Sequence, residues 1–490
     1  MTLQDICRGA KIECPKHLLE HTVAGISSRT CEIKNDYIFV CLRGTKTDGH
    51  KFIAKAFERG AFAVIIDNEE YACENAILVD DARSSLARIM NVFCGEPTKK
   101  LRFIGVTGTN GKTSVSVMMK NILDTHKIPC EMIGTLNNSS FCVKSEISQA
   151  NFTTPDPEEL YPMLQRIADA GIGHVIMESS SHALKLKKLE PIEFEIGIFT
   201  NLTEDHLDFH STMEDYFKSK LELFSKCRIG IINIDDEYGE RLSKIAPCKI
   251  KTCSMSKKSD YFAKILRDCG ESGTHFSVAS QEGELELKVN IPGRFSILNA
   301  MQSCACAIEL KIDKNVIARS FESLKNVKGR LEKVELFEGR DFAVYLDYAH
   351  TPDALQKLLD TVNSFKKEGQ RVVLLFGCGG DRERQKRRLM GEIAVKNADF
   401  VIITSDNPRS EDPLKIIEDI CSGACERERY TVIPDRRTAI EYAIANAKAG
   451  DVIVLAGKGH ENYEINARGV FPFDEREILR TIETKRRNES

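Results

Sequence analysis

The sequence lacks the features that mark exported, membrane-spanning or nucleic-acid-binding proteins. Its first residues, MTLQDICRGAKIECPKH, contain no apolar core of a signal peptide. No apolar run approaches the length that spans a membrane. The formal net charge is only −4 over 490 residues, so no general attraction to nucleic acid or anionic lipid is expected. We therefore expect a cytoplasmic protein without nucleic-acid or membrane partners, in which any anion site is built locally.

Cysteine patterns typical of zinc sites are also missing. The 17 cysteines are scattered, and the close pairs are CAC at 304–306 and Cys421 with Cys425. Neither pair has a second Cys or His pair to complete a zinc site. With no export signal, we expect reduced thiols that are buried as small hydrophobic side chains. Short internal repeats, coiled-coil heptads and low-complexity tracts are absent as well.

The length favours about three domains, and 42% hydrophobic with 29% charged residues is typical of a globular enzyme. Residues 1–98 contain short strands and one predicted helix, FIAKAFERG, and the polar stretch GEPTKKLR predicts a linker. Residues 99–330 alternate apolar strands with helices, which favours a doubly wound, largely parallel sheet. The pattern restarts in residues 331–490 with four apolar strands, FAVYLDYAH, RVVLLFGCGG, DFVIITSDNP and DVIVLAGKGH. We predict a three-domain α/β fold.

A phosphate-binding loop is predicted at GVTGTNGKTS, residues 105–114, between an apolar strand and a helix. The general P-loop pattern requires glycine five positions before the Gly-Lys pair, and Val106 stands there instead. The compact form still supplies backbone N–H groups, a helix N-terminus, Lys112 for the β- and γ-phosphates and Thr113 for Mg²⁺. The alternative is a glycine turn with its lysine in solvent. The strand and the helix on either side favour the phosphate loop.

Two further strands end in side chains that bind metals. MESSSH places Glu178 at the end of one strand, and TNLTEDHLDFH carries Asp205, His206 and Asp208 after another. Together they predict a cation site near the phosphates, although Glu178 alone could cap a helix and His206 alone could lie on the surface. Lys220, in YFKSKLELF, lies between apolar residues on a predicted helix. By itself it predicts no more than a solvated lysine.

The four C-terminal strands each end in a polar cluster, which predicts a ligand-binding face. The mixed charges suit a zwitterion, because arginine binds a carboxylate through two hydrogen bonds and Asp or Glu binds an ammonium group. The remainder of the basic run RERQKRR, beyond Arg382, predicts a solvated helix face. The clusters are Asp347 with His350, Arg382, Asp406 to Arg409, and Gly457 to Glu461.

These motifs, in this order, resemble the Mur ligase family, and most of all its MurE branch. The matching motifs are GTNGKT, TTPDP, ESSSHAL, TNLTEDHLDFH, YFKSK, GRFSILNA, KGRLE, DYAHTPDAL, DNPRSEDP and GKGHE. The resemblance runs from about Ser28 to Glu461. GTNGKT alone is shared with all Mur ligases and with folylpolyglutamate synthase. TTPDP, DNPR with EDP, and the N-terminal SSR…GTKTDGHKFI are more specific to this branch.

The resemblance implies an ATP-dependent amide ligase of cytoplasmic peptidoglycan synthesis, and hence a role in cell-wall biogenesis, cell shape and division. Such a ligase phosphorylates the D-Glu γ-carboxylate of UDP-MurNAc-L-Ala-D-Glu, and an amino acid, here meso-diaminopimelate, attacks the acyl phosphate. The expected fold has a small N-terminal UDP-substrate domain, a central P-loop ATPase-like domain and a C-terminal Rossmann-like amino-acid domain. ATP, two Mg²⁺ ions and a CO₂-derived lysine carbamate are the implied cofactors, in a monomer.

The resemblance also implies residue roles, which are carried over by position. Nucleotide contacts are implied for Gly108, Thr109, Asn110, Gly111, Lys112, Thr113, Ser114, Asn299, Arg330 and Asp347. Metal ligation is implied for Thr113, Glu178, His206 and Lys220, the last as N6-carboxylysine; Lys112, Glu178, His206 and Lys220 are the implied catalytic residues. UDP-MurNAc-dipeptide contacts are implied for Ser28, Thr45, Thr153, Thr154, Ser180 and Lys188. Amino-acid contacts are implied for Arg382, Asp406, Asn407, Pro408, Arg409, Gly457 and Glu461.

DNPR is the form associated with diaminopimelate, because Arg409 can bind its second carboxylate and would repel the side-chain ammonium of lysine. The chain departs from the family pattern at Phe152, Ser179 and Lys188, where relatives carry Asn, an apolar residue and Arg.

The alternatives are an L-lysine-adding ligase, another Mur-type or folylpolyglutamate ligase, and a P-loop kinase or nucleotide-regulated binding protein. The last class leaves the C-terminal polar clusters without a purpose.

Overall fold

A computed structural model of the chain describes residues 1–44, 47–136, 153–337 and 339–489. They form three separate sheets and a two-stranded hairpin. Thr45 and Phe152, both named above, lie outside the described residues. Among the helices in the described ranges, none is long and apolar enough to cross a membrane.

The first sheet holds four parallel strands in the order β1-β2-β3-β4. The predicted strands and the predicted helix of this region are confirmed, whereas two further helices, at its start and its end, were not predicted. The strands are β1 Gly25–Ser27, β2 Tyr37–Val40, β3 Ala61–Ile66 and β4 Ala76–Leu78, and the helices are α1 Leu3–Ala10, α2 Ile53–Glu58 and α3 Ala82–Phe93.

The second sheet has nine strands in the order β13-β12-β11-β10-β9-β8-β5-β7-β6. Its strands are β5 Arg102–Thr107, β6 Cys130–Ile133, β7 His174–Glu178, β8 Phe194–Phe199, β9 Cys227–Asn233, β10 Lys249–Ser254, β11 Tyr261–Asp268, β12 Thr274–Ser280 and β13 Gly283–Val289. Its helices are α4 Lys112–Thr125, α5 Pro157–Asp169, α6 Ser181–Lys185, α7 Met213–Phe224, α8 Glu237–Ile245, α9 Arg294–Glu309 and α10 Lys314–Ser323. The predicted parallel sheet is confirmed for the strands β5 to β10. Strand β5 lies between β7 and β8, so the loop that follows β5 starts at an interior strand of the sheet.

An antiparallel extension, β11-β12-β13, was not predicted. These strands mix buried and exposed positions, and most of β11 is exposed. They lack the continuous apolar run by which parallel strands are recognised.

The third sheet has six strands in the order β14-β15-β19-β16-β17-β18. Its strands are β14 Glu332–Lys333, β15 Ala343–Asp347, β16 Val372–Phe376, β17 Phe400–Ile403, β18 Tyr430–Val432 and β19 Val452–Ala456, followed by the hairpin β20 Tyr463–Asn466 and β21 Gly469–Pro472. Its helices are α11 Pro352–Phe365, α12 Gln385–Asn397, α13 Pro413–Cys421, α14 Arg436–Ala445 and α15 Glu475–Glu489. The four predicted strands are β15, β16, β17 and β19, and their parallel pairing brings their carboxyl ends to one edge.

The basic run after Arg382 is only partly the solvated helix face that was predicted: Arg384 and Arg388 are exposed, whereas two residues between them are buried. Arg387, in α12, is fully buried. Its guanidinium donates to Glu411 at 2.7 Å, to Asp419 at 2.9 Å and to the Gly379 carbonyl at 3.2 Å. The acidic partners follow 24 and 32 residues later, so the local pattern of charges could not reveal the pairing.

The cysteines are less buried than predicted. Cys31, Cys73 and Cys425 are exposed, whereas Cys304 and Cys306 of the CAC sequence are fully buried on α9. The prediction therefore holds for the cysteines of the central core and is wrong for these three surface positions.

A buried ion pair supports the end of β19. Arg436, the first residue of α14, and Glu475, the first residue of α15, lie 2.9 Å apart with side chains 0% and 1% exposed. Arg436 Nη2 also donates to the carbonyl of Ala456, the last residue of β19, at 2.7 Å. The pair thus connects two helices to the strand end that precedes Gly457.

Replacing Arg436 with Met should loosen this part of the third sheet, because Glu475 would remain buried without its counter-charge. We expect a loss of about 3–5 kcal/mol in local stability, measured as faster hydrogen exchange in β19, α14 and the start of α15. The matched control is Arg437→Met, since Arg437 is exposed. Equal exchange rates in the two variants would contradict the conclusion that the Arg436–Glu475 ion pair stabilises this part of the third sheet.

Candidate active site

The loop between β5 and α4 depends on two glycines in the left-handed region. Gly108 has φ +148° and Gly111 has φ +89°. A Cβ at Gly108 would lie 1.9 Å from Thr200 Oγ1, and a Cβ at Gly111 would lie 2.6 Å from Asn299 Oδ1. The backbone can therefore come this close to α9 and to the end of β8 only with glycine at both positions.

Lys112 begins α4 and folds back over the loop. Its Nζ donates to the carbonyls of Gly108 and Thr109, both at 2.9 Å. Burial lowers the pKa of Lys112, and the nearby Glu178 and Asp205 carboxylates raise it. Two of the three ammonium N–H bonds are used by the loop, which leaves one for an anion in front of it.

Glu178, the last residue of β7, is a fully buried carboxylate. It accepts hydrogen bonds from Thr113 Oγ1 at 3.2 Å, from Thr135 N at 3.0 Å and from Thr135 Oγ1 at 3.0 Å. Arg330 Nη2 in turn donates to Thr113 Oγ1 at 3.1 Å. The structure thus brings the predicted residues Thr113, Glu178 and Arg330 together, and adds Thr135, which was not predicted.

Within the described ranges, no group of three or more His, Cys, Asp or Glu side chains is arranged to hold a metal. The hydroxyl of Thr113 and the carboxylate of Glu178 nevertheless fit one Mg²⁺, which commonly takes one or two protein oxygens and completes its shell with phosphate and water. His206, at φ +55°, has Nε2 3.3 Å from Asp205 Oδ2. Burial lowers the pKa of His206 to about 3 against the opposing effect of Asp205, so the ring is neutral at pH 7, the form that ligates metals.

Lys220 is buried on α7, with only 1% of its surface exposed. Its Nζ lies 4.5 Å from the centre of the Tyr216 ring, and Tyr216 is hydrogen-bonded to Thr109 Oγ1 at 3.2 Å. Burial lowers the pKa of Lys220 far below its usual value, and Lys112 adds to this effect. The interpretation of Lys220 as a solvated lysine is therefore wrong.

A cavity of about 1140 Å³, including its opening to solvent, lies in front of the loop. It is lined by the predicted residues Thr109, Asn110, Gly111, Lys112, Thr113, Ser114, Thr153, Glu178, His206, Asn299, Arg330 and Asp347. Phe295, Ala354 and Leu358 add apolar surface to its wall.

One residue at a strand end of the third sheet lines this cavity, and one residue of α11 contacts the loop beside it. Asp347, at the end of β15, accepts from Leu331 N at 2.6 Å and from Ala349 N at 2.7 Å. Burial raises the pKa of Asp347, and Arg330 opposes the rise. Asp353, which was not predicted although it lies in TPDAL, accepts from Asn110 Nδ2 at 2.9 Å and so connects α11 to the loop.

The predicted UDP-substrate residues do not all meet in one place. Ser28 and Lys188 line a second cavity, between the first and second sheets, whereas Thr153 lines the first cavity. Thr154 and Ser180 lie together at the end of β7, with their hydroxyl oxygens 3.1 Å apart, and Thr154 donates to the Glu178 carbonyl at 2.8 Å.

The second cavity already contains paired charges. Ser28 N and Oγ donate to Glu158 Oε1 at 3.1 and 2.5 Å. Lys188 Nζ lies 2.7 Å from Asp156 Oδ1, with the lysine side chain only 7% exposed. Lys188 is therefore a cation at the cavity wall that is held in place by its ion pair with Asp156.

The predicted amine residues cluster at the carboxyl edge of the third sheet. Asp406, Asn407, Lys458 and Glu461 are all buried. Asn407 Nδ2 donates to Glu461 Oε2 at 2.8 Å, and Lys458 Nζ donates to Asn407 Oδ1 at 3.0 Å. Lys458 lies in the predicted cluster from Gly457 to Glu461 but was given no role of its own; its position between two glycines in GKGHE was the available signal. A Cβ at Gly457, which has φ +107°, would lie 2.6 Å from Asp406 Oδ2.

Arg409 lies beside this group in a left-handed conformation, with φ +52°. Its Nη1 donates to the carbonyls of Gly380 at 2.8 Å and Asn407 at 3.4 Å. In the described part of the chain, Nε and Nη2 have no acceptor. Burial lowers the pKa of Arg409, and the neighbouring Arg382 contributes in the same direction. Pro408, also predicted, is buried against Gly380.

The cavity and the amine cluster adjoin. Asp347 ends β15 and lies opposite Ala456 of β19, and Gly457 N donates to the Asp347 carbonyl at 3.1 Å. Arg382, in contrast, is exposed, and its Nη1 donates to the Asp381 carbonyl at 3.0 Å. Its guanidinium is at the rim of the cluster rather than inside it.

The second sheet carries a phosphate-type loop, and the third sheet, which adjoins it, carries a charged pocket. These features define a nucleotide-binding protein of several domains. Three family models match successive parts of the chain: "Mur ligase family, catalytic domain" over residues 22–94, "Mur ligase middle domain" over 106–307, and "Mur ligase, glutamate ligase domain" over 329–459. The chain belongs to the Mur ligase family.

Curated relatives cover nearly the whole chain. A UDP-N-acetylmuramoyl-L-alanyl-D-glutamate--2,6-diaminopimelate ligase of Caldanaerobacter subterraneus subsp. tengcongensis is 41% identical, over 98% of this chain and 99% of its own length. A protein of the same name from Syntrophomonas wolfei is 39% identical, over 98% of each chain.

Solved structures share the fold. A structure named for a UDP-N-acetylmuramoyl-L-alanyl-D-glutamate--2,6-diaminopimelate ligase is 30% identical with a TM-score of 0.69, covering 99% of this chain and all of that one. A MurF ligase from Thermotoga maritima in complex with ADP is 17% identical with a TM-score of 0.60, covering 95% and 98% of the two chains. The second likeness supports the fold alone.

Replacing Gly111 with Ala should abolish the tight approach of the loop to Asn299. We expect nucleotide affinity to fall by a factor of about 100 or more, because a strained backbone alone costs about 1–3 kcal/mol and the collision adds to it. Calorimetric titration with ATP measures the loss.

Gly171→Ala is the matched control, since Gly171 also has a positive φ (+75°) but a Cβ there would meet nothing within 4 Å. It should lose similar backbone stability and keep nucleotide affinity. Equal affinity in both variants would show that the loop does not hold the nucleotide.

Proposed function

We propose that this protein is an ATP-dependent ligase that joins meso-diaminopimelate to the D-Glu γ-carboxylate of UDP-MurNAc-L-Ala-D-Glu, acting as a cytoplasmic monomer in cell-wall precursor synthesis. The observation that carries the proposal is the hydrogen bond from Gly457 N to the Asp347 carbonyl at 3.1 Å. This bond holds the cavity in front of the phosphate-type loop directly beside the pocket that contains both acidic and basic side chains. Relatives named for this reaction, at 41% and 39% identity, support it.

Each sheet would serve one substrate. Residues 1–98 would bind the UDP-linked dipeptide, residues 99–330 ATP, and residues 331–490 the amino acid. Ser28 and Lys188 at the cavity between the first two sheets, and Thr153, Thr154 and Ser180 near Glu178, would align the dipeptide so that its γ-carboxylate reaches the cavity in front of Lys112.

The chemistry requires activation of a carboxylate, because its oxygen is a poor leaving group at neutral pH. A carboxylate oxygen attacks the ATP γ-phosphorus, ADP leaves, and an acyl phosphate forms. The free amine then attacks the carbonyl carbon, and phosphate and one proton leave. Lys112, the N-terminus of α4 and Arg330 would stabilise the negative charge on the transferred phosphoryl group.

We assign two Mg²⁺ ions to these side chains. Thr113 and Glu178, whose oxygens lie 3.2 Å apart, would hold one with the ATP phosphates. Glu178, neutral His206 and a carbamate on Lys220 would hold the second. When bound, the ions neutralise the phosphate charge that would otherwise repel the incoming carboxylate.

Burial favours carbamate formation on Lys220. A neutral amine attacks CO₂, a new N–C bond forms, one proton is lost, and the product carries a negative charge. The buried position lowers the pKa of Lys220 well below its usual value, which increases the fraction of neutral amine. The carbamate would supply an anionic oxygen ligand to Mg²⁺, whereas a protonated lysine would repel the ion.

The amine pocket favours diaminopimelate over lysine. Arg409 lies beside the buried carboxylates of Asp406 and Glu461, and its Nε and Nη2 have no acceptor within the described ranges. Diaminopimelate presents both a carboxylate and an ammonium group at its far end, so it can use both signs of charge. Lysine would leave the guanidinium unpaired.

An amine competition assay tests this assignment. With ATP and UDP-MurNAc-L-Ala-D-Glu present, we expect phosphate release to be at least about 100-fold more efficient with meso-diaminopimelate than with L-lysine, as a lost buried charge pair costs several kcal/mol. Lysine as the better substrate would reverse the choice of amine. Turnover without the UDP-linked dipeptide, or ATP hydrolysis without an amide product, would point to another ligase or to a kinase-type activity.

A second test concerns the carbamate. Lys220→Ala should lose nearly all activity and recover part of it when a short carboxylic acid is added, because the acid replaces the missing anionic oxygens. Lys218→Ala is the matched control, since Lys218 lies on the same helix and is exposed. Full activity of Lys220→Ala without the acid would remove Lys220 from the mechanism.

A further inference from the structure

The charges of the amine pocket balance. Asp406 and Glu461 each supply a negative charge, and Lys458 and Arg409 each supply a positive one. Asp406, Glu461 and Lys458 are 5%, 8% and 0% exposed, so solvent screens their charges poorly. The charges of these four side chains therefore sum to zero, and Arg382 lies outside them, exposed at the rim.

The ammonium group of Lys458 is held in place by the segment after β17 and by β20. Its Nζ donates to Asn407 Oδ1 at 3.0 Å and to the carbonyl of Tyr463, in β20, at 2.9 Å. The same atom lies 3.7 Å from Asp406 Oδ1 and 3.6 Å from Glu461 Oε2. A cation placed almost equally far from both carboxylates offsets half of their combined charge.

Lys458 also fixes the orientation of the Asn407 amide. Asn407 Oδ1 accepts from both Lys458 Nζ and Ile465 N, the latter at 2.9 Å. The amide nitrogen must therefore face Glu461 Oε2, to which it donates at 2.8 Å. One Glu461 oxygen is thus occupied by the protein, which leaves the other oxygen and Asp406 for the ligand.

We propose that Lys458 is a specificity-determining positioning residue, which brings the pocket to zero net charge and thereby selects an amino acid whose far end is a zwitterion. This inference rests on the proposed function and extends it. Arg409 pairs with the far carboxylate, and Asp406 and Glu461 pair with the far ammonium. Lys458 offsets one of the two negative charges, so a far end that carries an ammonium alone gains no advantage over a zwitterion.

The first test uses the unaltered protein and three amines. The far end of meso-diaminopimelate carries both charges, that of L-lysine only the ammonium, and that of 2-aminopimelate only the carboxylate. We expect kcat/KM to be highest for diaminopimelate and at least about tenfold lower for each of the other two, since one unbalanced charge in a buried site costs a factor of ten or more. Use of 2-aminopimelate as efficiently as diaminopimelate would overturn the inference.

The second test removes the charge. Lys458→Met leaves the pocket with a net charge of −1, so the ratio of kcat/KM for diaminopimelate over L-lysine should fall at least about tenfold. The double variant Lys458→Met with Glu461→Gln returns the pocket to zero and should restore the ratio, although not the absolute rate. Because burial and Asp406 raise the pKa of Glu461, the assays are run above neutral pH, which favours the ionised carboxylate.

Lys458→Gln serves where the Met variant does not fold, because glutamine can still donate to Asn407 Oδ1 while lacking the charge. Unchanged ATP affinity, measured by calorimetry, shows that the central sheet is intact in each variant. An unchanged amine ratio in a folded, uncharged variant would overturn the inference and leave the proposed function standing. Failure of the unaltered protein to use diaminopimelate would instead remove the proposed function itself.

Discussion

The buried carboxylate of Glu178 is the constraint on which the rest of the site depends. A fully buried anion is costly unless hydrogen bonds compensate it, and here Thr113 and Thr135 donate three such bonds. Those bonds join the end of β7 to the first turn of α4 and to the segment after β6. Arg330, bound to Thr113, then ties the start of the third sheet to the same point. The candidate phosphate loop, the proposed metal ligands and the C-terminal sheet are thus positioned relative to one side chain.

Buried cations play the corresponding part in the third sheet. Arg387, Arg436 and Lys458 are each 1% exposed or less, and each joins segments that are far apart in sequence. Arg387 fixes the loops after β16 and β17, Arg436 fixes the end of β19, and Lys458 fixes the amide of Asn407. The polar strand ends are therefore held by charge pairs beneath them, and a ligand meets a preorganised surface rather than flexible loops.

Much of this architecture could be predicted from the sequence, because the parallel strands are continuous apolar runs and the ligand-facing residues follow them directly. The loop of residues 108–113 and the strand ends at Glu178, Asp347 and Asp406 were predicted for this reason. The antiparallel extension could not be recognised, since its strands mix exposed and buried positions. The burial of Arg387 and Lys220 depends on partners that are distant in sequence or apolar, and a local pattern carries no information about either.

The pairing of β15 with β19 has a mechanical consequence. Neighbouring strands in a sheet are about 4.8 Å apart, and their hydrogen bonds resist any change in that spacing. Asp347, which lines the cavity in front of the phosphate-type loop, ends β15, and Gly457, beside the charged pocket, directly follows β19. Any movement of the third sheet relative to the second would therefore carry the two sets of residues together. Enclosing a nucleotide in this way would bring the bound amino acid toward the reacting carbon in the same step.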